Sequence, residues 1–139
     1  MGANIKRMGP NGAGLVMKIC HNALVSQIQN GVNETVLLAR KAGISVADYA
    51  QAISYGGGQN AYLDAKAPAL EKEDFTTAFS VENMAKDVNI ALSLAAELGL
   101  RLPGEENAGA VYAQALALGC AKEDFSATVK AVRLRAEEP

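Results

Sequence analysis

GPNGAGLVMKICHNALVSQIQNGVNETVLLARKAG, residues 9–43, has the pattern of one long helix. Glycines at Gly9, Gly12 and Gly14 open it, and no proline recurs until Pro68. Roughly nine turns at ~3.6 residues per turn can therefore run without a break. Met17, Cys20, Leu24, Ile28, Val32 and Ala39 follow the spacing of one packed face, and Val16, Ile19, Ala23, Val25 and Val36 carry apolar character to other sides. A helix apolar on most sides is predicted to be central and buried, with neighbours packed around it. Glu34, Arg40 and Lys41 restore polarity near its end, and Gly43 fits a C-terminal cap.

Lys18, His21 and Asn22 interrupt that apolar surface. Residues four apart on a helix share a face, so whatever approaches Lys18 can also touch Asn22. A lysine in apolar surroundings reaches to water, pairs with an acid, or works at a lowered pKa. Here it follows a glycine-rich opening that lets a ligand or another chain segment come near, and the uninterrupted helix holds it rigidly beside an amide. Such a pair suits an alcohol or carbonyl substrate: the amine exchanges the hydroxyl proton and the amide fixes the oxygen. His21 lies one residue off the shared face, as either a hydrogen-bonded structural histidine or a residue flanking the substrate.

The 139 residues predict one domain with a real core. Half the chain is apolar, charged residues make up 20%, aromatics only 5%, and tryptophan is absent. Abundant alanine and leucine favour helices over strands. The net charge of −2, with scattered Lys and Arg, excludes the basic surplus that nucleic acid demands. Cys20 and Cys120 read as buried free thiols, and with one histidine there is no metal-ligand cluster. No uncharged apolar run approaches the ~20 residues of a membrane span, and the N-terminus lacks a signal-peptide pattern, so cytoplasmic residence is expected.

Further helices follow. Ser45 caps one, with Asp48 in its first turn, and Gly56, Gly57 and Gly58 stop it, either as a flexible break or as a point of close approach. Gln59 to Ala67 predicts a short helix ending at Pro68, followed by an acidic connection through Glu71, Lys72, Glu73 and Asp74. Ser80 caps the helix Val81 to Leu98, which Gly99 closes; Pro103 and Gly104 mark a turn before a helix from about Glu106 to Leu118, ended by Gly119. A last helix begins near Ser126 and runs into a charged tail. KEDFTTAF from Lys72 and KEDFSATV from Lys122 read as two similar helix starts. With a strand stub at Ile5 to Met8 as the single exception, the chain is predicted to be all-α, five or six helices around one long one.

GPNGAGLVMKICHN resembles the G-x-x-G-x-G-x-x-x-K-x-x-N-N signature that opens the C-terminal domain of the β-hydroxyacid dehydrogenases, the group of 3-hydroxyisobutyrate dehydrogenase and tartronate semialdehyde reductase. LLARKAGI at residues 37–44 resembles its A-x-K-x-G segment; Phe79 followed by Ala85, Lys86 and Asp87 resembles its F and K-D pair; EDFSATV resembles its closing D-F-S helix. The resemblance covers nearly the whole chain and implies a helical domain like the C-terminal domain of 6-phosphogluconate dehydrogenase. It implies that Lys18 is the catalytic lysine, general acid in reduction and general base in oxidation. Asn22 then positions the substrate, Gly12, Ala13 and Gly14 lie close to it, and Lys86 stands near the nicotinamide. Read without the family, Lys86 is a solvated helix lysine paired with a neighbouring acid.

His21 replaces the family's usual asparagine, and the resulting K-x-x-H-N resembles 6-phosphogluconate dehydrogenase itself. That enzyme carries a catalytic glutamate seven residues after the lysine, where this chain has Val25. Nothing matches a strand followed by G-x-G-x-x-G. The resemblance therefore implies that residues 1–8 are the remnant of a link from a missing N-terminal Rossmann domain and that 9–139 form the substrate-binding and oligomerisation domain. NAD or NADP would serve the full-length enzyme, which would act on a small hydroxy acid and form a dimer or higher homo-oligomer, whereas this domain alone would hold no cofactor tightly and be inactive. The competing expectation is a non-catalytic helical module for dimerisation or partner binding, which would use the apolar surplus directly.

Overall fold

A computed structural model describes residues 3–137. Its axis is α1, Ala13–Lys41, a helix of 29 residues touched by every other element. Around it lie α2 (Val46–Ile53), α3 (Ala61–Lys72), α4 (Val81–Glu97), α5 (Pro103–Ala117), a 3-10 turn (Phe125–Thr128) and α6 (Val129–Glu137). The fold is all-α, as the composition and spacing predict. Helix starts are where the hydroxyl caps put them: Ser45 Oγ accepts from the Asp48 N–H at 3.0 Å, and Ser80 Oγ from the Asn83 N–H at 3.3 Å. Gly43, Gly99 and Gly119 take positive φ just past the ends of α1, α4 and α5.

The expectation of a helix buried along its length fails for the first half of α1. Leu15, Val16, Met17, Cys20 and Leu24 are exposed, Leu15 by 62% and Leu24 by 58%. The buried face consists of Ala23, Ser26, Gln29, Asn30, Val32, Asn33, Val36 and Ala39. Four of these eight are polar, and an apolar-periodicity reading passes over them. Gln29 Nε2 donates to the Phe125 carbonyl and Thr128 Oγ1, and Tyr112 OH donates to Gln29 Oε1. Asn33 Nδ2 reaches Thr128 Oγ1 at 3.1 Å. Burial pushes the Tyr112 and Tyr62 phenols up. Where α5 begins, a Cβ on Gly104 would sit 2.4 Å from Gln27 Oε1, so the glycine permits the close approach.

Other boundaries depart from expectation. Pro68 lies inside α3; it is exposed, so the Asp64 carbonyl that it leaves without a helical donor can turn to water. Glu71 and Lys72 are therefore helical, not loop. Pro103 is the first residue of α5 rather than part of a preceding turn, because a missing N–H costs nothing there. The last helix starts at Val129, after the 3-10 turn, and residues 138 and 139 of the charged tail lie outside the described residues. Of the 1–8 stretch, residues 1 and 2 lie outside as well, and Ile5 to Met8 form no strand.

The two KEDF segments are not two helix starts but partners. Asp74 Oδ1 accepts from the Thr76 N–H and Oγ1, and Asp124 Oδ1 accepts from the Ser126 N–H and Oγ, so each aspartate folds its chain into the same turn. Only the second opens a helix. The Asp124 N–H donates to the Phe75 carbonyl at 2.9 Å and the Phe125 N–H to the Phe79 carbonyl at 2.8 Å, clasping the segments together. Asp124 Oδ2 takes Lys66 Nζ at 2.9 Å and the Ala78 N–H at 3.1 Å.

Burial alone would raise the Asp124 carboxyl pKa. The hydrogen bonds from Ser126, Lys66 and the backbone outweigh it and hold the group below the usual carboxylate range. With the folded pKa depressed, its contribution to stability is complete above the unfolded value of about 3.9 and is lost as pH falls through the folded pKa. Asp124→Asn, which leaves Lys66 without its acid, is expected to lower stability at neutral pH by about 3 kcal/mol and to flatten the acid limb of stability, read by urea unfolding at a series of pH values. Cys20 is exposed and Cys120 buried, both free, which corrects the expectation of two buried thiols. Maleimide should therefore label Cys20 within minutes and leave Cys120 unmodified until the chain is unfolded, checked by peptide mass mapping.

Candidate active site

The first turns of α1 carry the predicted residues outward from the core. Gly12 precedes the helix at φ 95°, a left-handed conformation that glycine adopts freely. A Cβ added at Gly12 or Gly14 would meet nothing within 4 Å. Gly14 stands one turn above Lys18 on the same face, so Gly12, Ala13 and Gly14 leave the approach to the lysine clear. None of the three lines the cleft described next.

Lys18 and Asn22 do share one wall of a narrow cleft of about 140 Å³. Leu15 and Ile19 complete the α1 side, and Asp87 and Ile90 of α4 form the opposite side. Asn22 Nδ2 donates to Asp87 Oδ2 at 2.7 Å, and His21 Nδ1 lies 3.1 Å from Asn22 Oδ1. The amide is thus held by its neighbour and by another helix. Lys18 is exposed, so the premise of a lysine trapped in apolar surroundings does not hold in this chain; the spatial pairing with Asn22 does. The cleft offers an ammonium, an amide and a carboxylate against three apolar side chains, enough to hold a small oxygenated molecule and exchange a proton with it.

Lys86 is brought to a neighbouring cleft of about 590 Å³, whose polar lining is Lys86, Asn89 and Ser93 with the carboxylates of Glu82 and Glu97. Ile19 and Ile90 wall both clefts, which places the two lysines on adjoining spaces rather than in one. Its amide and hydroxyl groups stand beside Ile19, Ile90 and Leu94, a mixed polar and apolar lining in which any flat, amide-bearing ring would also meet the two carboxylates. The rest of a dinucleotide finds no cradle: among the described residues there is no strand leading into a glycine turn and helix. Asp87 is the residue whose contact the sequence reading missed. Its place in the K-D pair was visible, but helical spacing does not say which element faces Asn22. Among the described residues no His, Cys, Asp and Glu cluster could hold a metal, and no helix is long and apolar enough to cross a membrane.

A family model described as NAD-binding of NADP-dependent 3-hydroxyisobutyrate dehydrogenase matches residues 12–132. The chain is 31% identical over 136 residues to 2-hydroxy-3-oxopropionate reductase of Escherichia coli, covering 98% of this chain and 47% of that protein. It is 29% identical over 130 residues to glyoxylate/succinic semialdehyde reductase 1 of Arabidopsis thaliana, covering 94% and 45%. The solved structure of Mycobacterium tuberculosis 3-hydroxyisobutyrate dehydrogenase with L-serine is similar with a TM-score of 0.86 at 28% identity, over 96% of this chain and 48% of that one. The chain spans a little under half the length of these relatives. The match over most of its residues, on the fold that GPNGAGLVMKICHN led us to expect, means that the chain belongs to the β-hydroxyacid dehydrogenase family of NAD(P)-dependent oxidoreductases.

Proposed function

We propose that this chain is the substrate-facing domain of an NAD(P)-dependent dehydrogenase that interconverts a short 3-hydroxy acid and its semialdehyde, and that it turns over only with a dinucleotide-binding domain beside it. The carrying observation is the meeting of Lys18, Asn22 and Asp87 at one cleft. In reduction the Lys18 ammonium gives its proton to the carbonyl oxygen; in oxidation the neutral amine takes the hydroxyl proton. Asn22 commits one N–H to Asp87 and keeps the other for the substrate oxygen. His21 flanks the substrate beside it. Gly12, Ala13 and Gly14 leave room where the helix dipole favours an anionic group such as the substrate carboxylate. NAD or NADP supplies or accepts the hydride when bound, and Lys86, with Asn89 and Ser93, is the side of this domain that meets the nicotinamide. One relative is named for 2-hydroxy-3-oxopropionate, a short acid with its aldehyde at carbon 3, and another for glyoxylate and succinic semialdehyde, aldehyde acids of other spacing; the first supports the 3-hydroxy class and the second the wider class of short aldehyde acids. Two free thiols fit a reducing compartment, the cytoplasm.

The exposed Leu15, Met17, Leu24 and Leu98 favour a second reading, a helical module for association with a second copy or another protein. Both readings accommodate a homo-oligomer; turnover separates them. With the dinucleotide-binding domain joined, Lys18→Ala should lower kcat by about 10²-fold or more on the best semialdehyde while circular dichroism is unchanged. Wild-type turnover in that variant would overturn the role of Lys18.

A further inference from the structure

We propose that Asp87 is a positioning residue which, acting through Asn22, fixes His21 as the Nδ1–H tautomer and leaves Nε2 without a hydrogen. The inference starts from what each group can donate. An ionised aspartate only accepts hydrogen bonds, so the Asn22 atom 2.7 Å from Asp87 Oδ2 has to be the amide nitrogen. That chemistry orients the amide, a choice that shape alone does not make. Asn22 Oδ1 is consequently turned toward His21, 3.1 Å from Nδ1. An amide oxygen is an acceptor, so Nδ1 carries the hydrogen, and in the neutral ring Nε2 then carries none.

This ordering runs across two helices. Asp87 stands on α4 and Asn22 and His21 on α1, with Asp87 and Asn22 lining the Lys18 cleft. The consequence for recognition follows from the lone pair. His21 is exposed, so where the ring flanks the substrate, as proposed above, a lone pair on Nε2 suits the hydroxyl of a hydroxy acid and disfavours the carboxylate, which has no hydrogen to give. The open N-terminal end of α1 is left to take the negative group, and Lys18 keeps the proton exchange. This recognition role rests on the dehydrogenase reading; the tautomer does not.

His21 is the sole histidine of the chain, so its ring nitrogens can be read without assignment ambiguity. Long-range proton–nitrogen correlation NMR on the ¹⁵N-labelled chain, at about pH 8.5 and well above the ordinary imidazole value of ~6.5, reports which nitrogen bears the hydrogen. The expected wild-type spectrum has Nδ1 at the upfield, hydrogen-bearing position and Nε2 at the downfield, lone-pair position. Asp87→Ala frees the amide to turn, and the ring should revert to the Nε2–H form that an unconstrained histidine prefers. Asp87→Asn, whose side-chain oxygen can still accept from Asn22, should keep the wild-type pattern. Asn22→Ala removes the acceptor itself and should give the same reversal; if Asp87→Ala fails to fold, Asp87→Leu, of similar size and without an acceptor, takes its place. Nε2–H as the main wild-type form, or Nδ1–H persisting in a folded Asp87→Ala, would overturn the proposal. The measurement uses neither cofactor nor substrate, so a negative result here is separate from retained turnover in Lys18→Ala, which speaks to the dehydrogenase reading alone.

Discussion

Gln29 occupies the middle of α1 and uses both ends of its amide at once. Its nitrogen meets the Phe125 carbonyl and Thr128, and its oxygen meets Tyr112, so one side chain ties the axis to the 3-10 turn and to α5. A buried polar group left without partners costs roughly 1–3 kcal/mol, so few relative placements of these elements satisfy the set. An apolar seam would have tolerated sliding; an amide bonded at both ends does not. Ser26 extends the seam toward the site end, donating to Glu105 at 2.7 Å. Burial drives the Glu105 carboxyl above its usual range against the opposing hydrogen bonds of Ser26 and Gln27, and favours its neutral form. The Glu105 Oε1 and Asn30 Nδ2 atoms have no protein partner.

The site end is organised differently. No core surrounds Lys18, and the cleft beside it is made by α1 and α4 alone. The contact that spans it is Asn22 to Asp87, a hydrogen bond to a charged acceptor and so among the stronger kinds. The same pair defines the width of the cleft and the direction in which the amide points. Packing of Ile19 and Ile90 between the two clefts keeps Lys18 and Lys86 on separate sides of one apolar divider.

Local chemistry made much of this legible in sequence. Serine hydroxyls at Ser45 and Ser80 and the glycines beyond α1, α4 and α5 mark helix ends by mechanisms that operate within a few residues. The Lys18 and Asn22 pairing followed from a four-residue spacing. What escaped depends on partners distant in the chain. Periodicity nominated Met17, Cys20 and Leu24 for the core because an apolar face looks the same whether or not a neighbour covers it. The true face was hidden because Gln29 and Asn33 are ordinary surface residues until Thr128, Tyr62 and Tyr112 are brought to them. The likeness of the KEDF segments was visible, but their clasp was not, since nothing in a repeated turn says that its two copies meet.

The separation between the Gln29 tie and Lys18 makes α1 a lever arm. Eleven residues at ~1.5 Å each put the lysine about 16 Å from that fulcrum. A tilt of only about 4° there would carry the lysine by about 1 Å, a displacement of the size that costs a reacting pair about a hundredfold in rate. The Asp87 contact is the stop that limits such a swing. Core and cleft are therefore coupled through one helix, and a change among the buried amides would reach the lysine of the proposed site as well as the stability of the core.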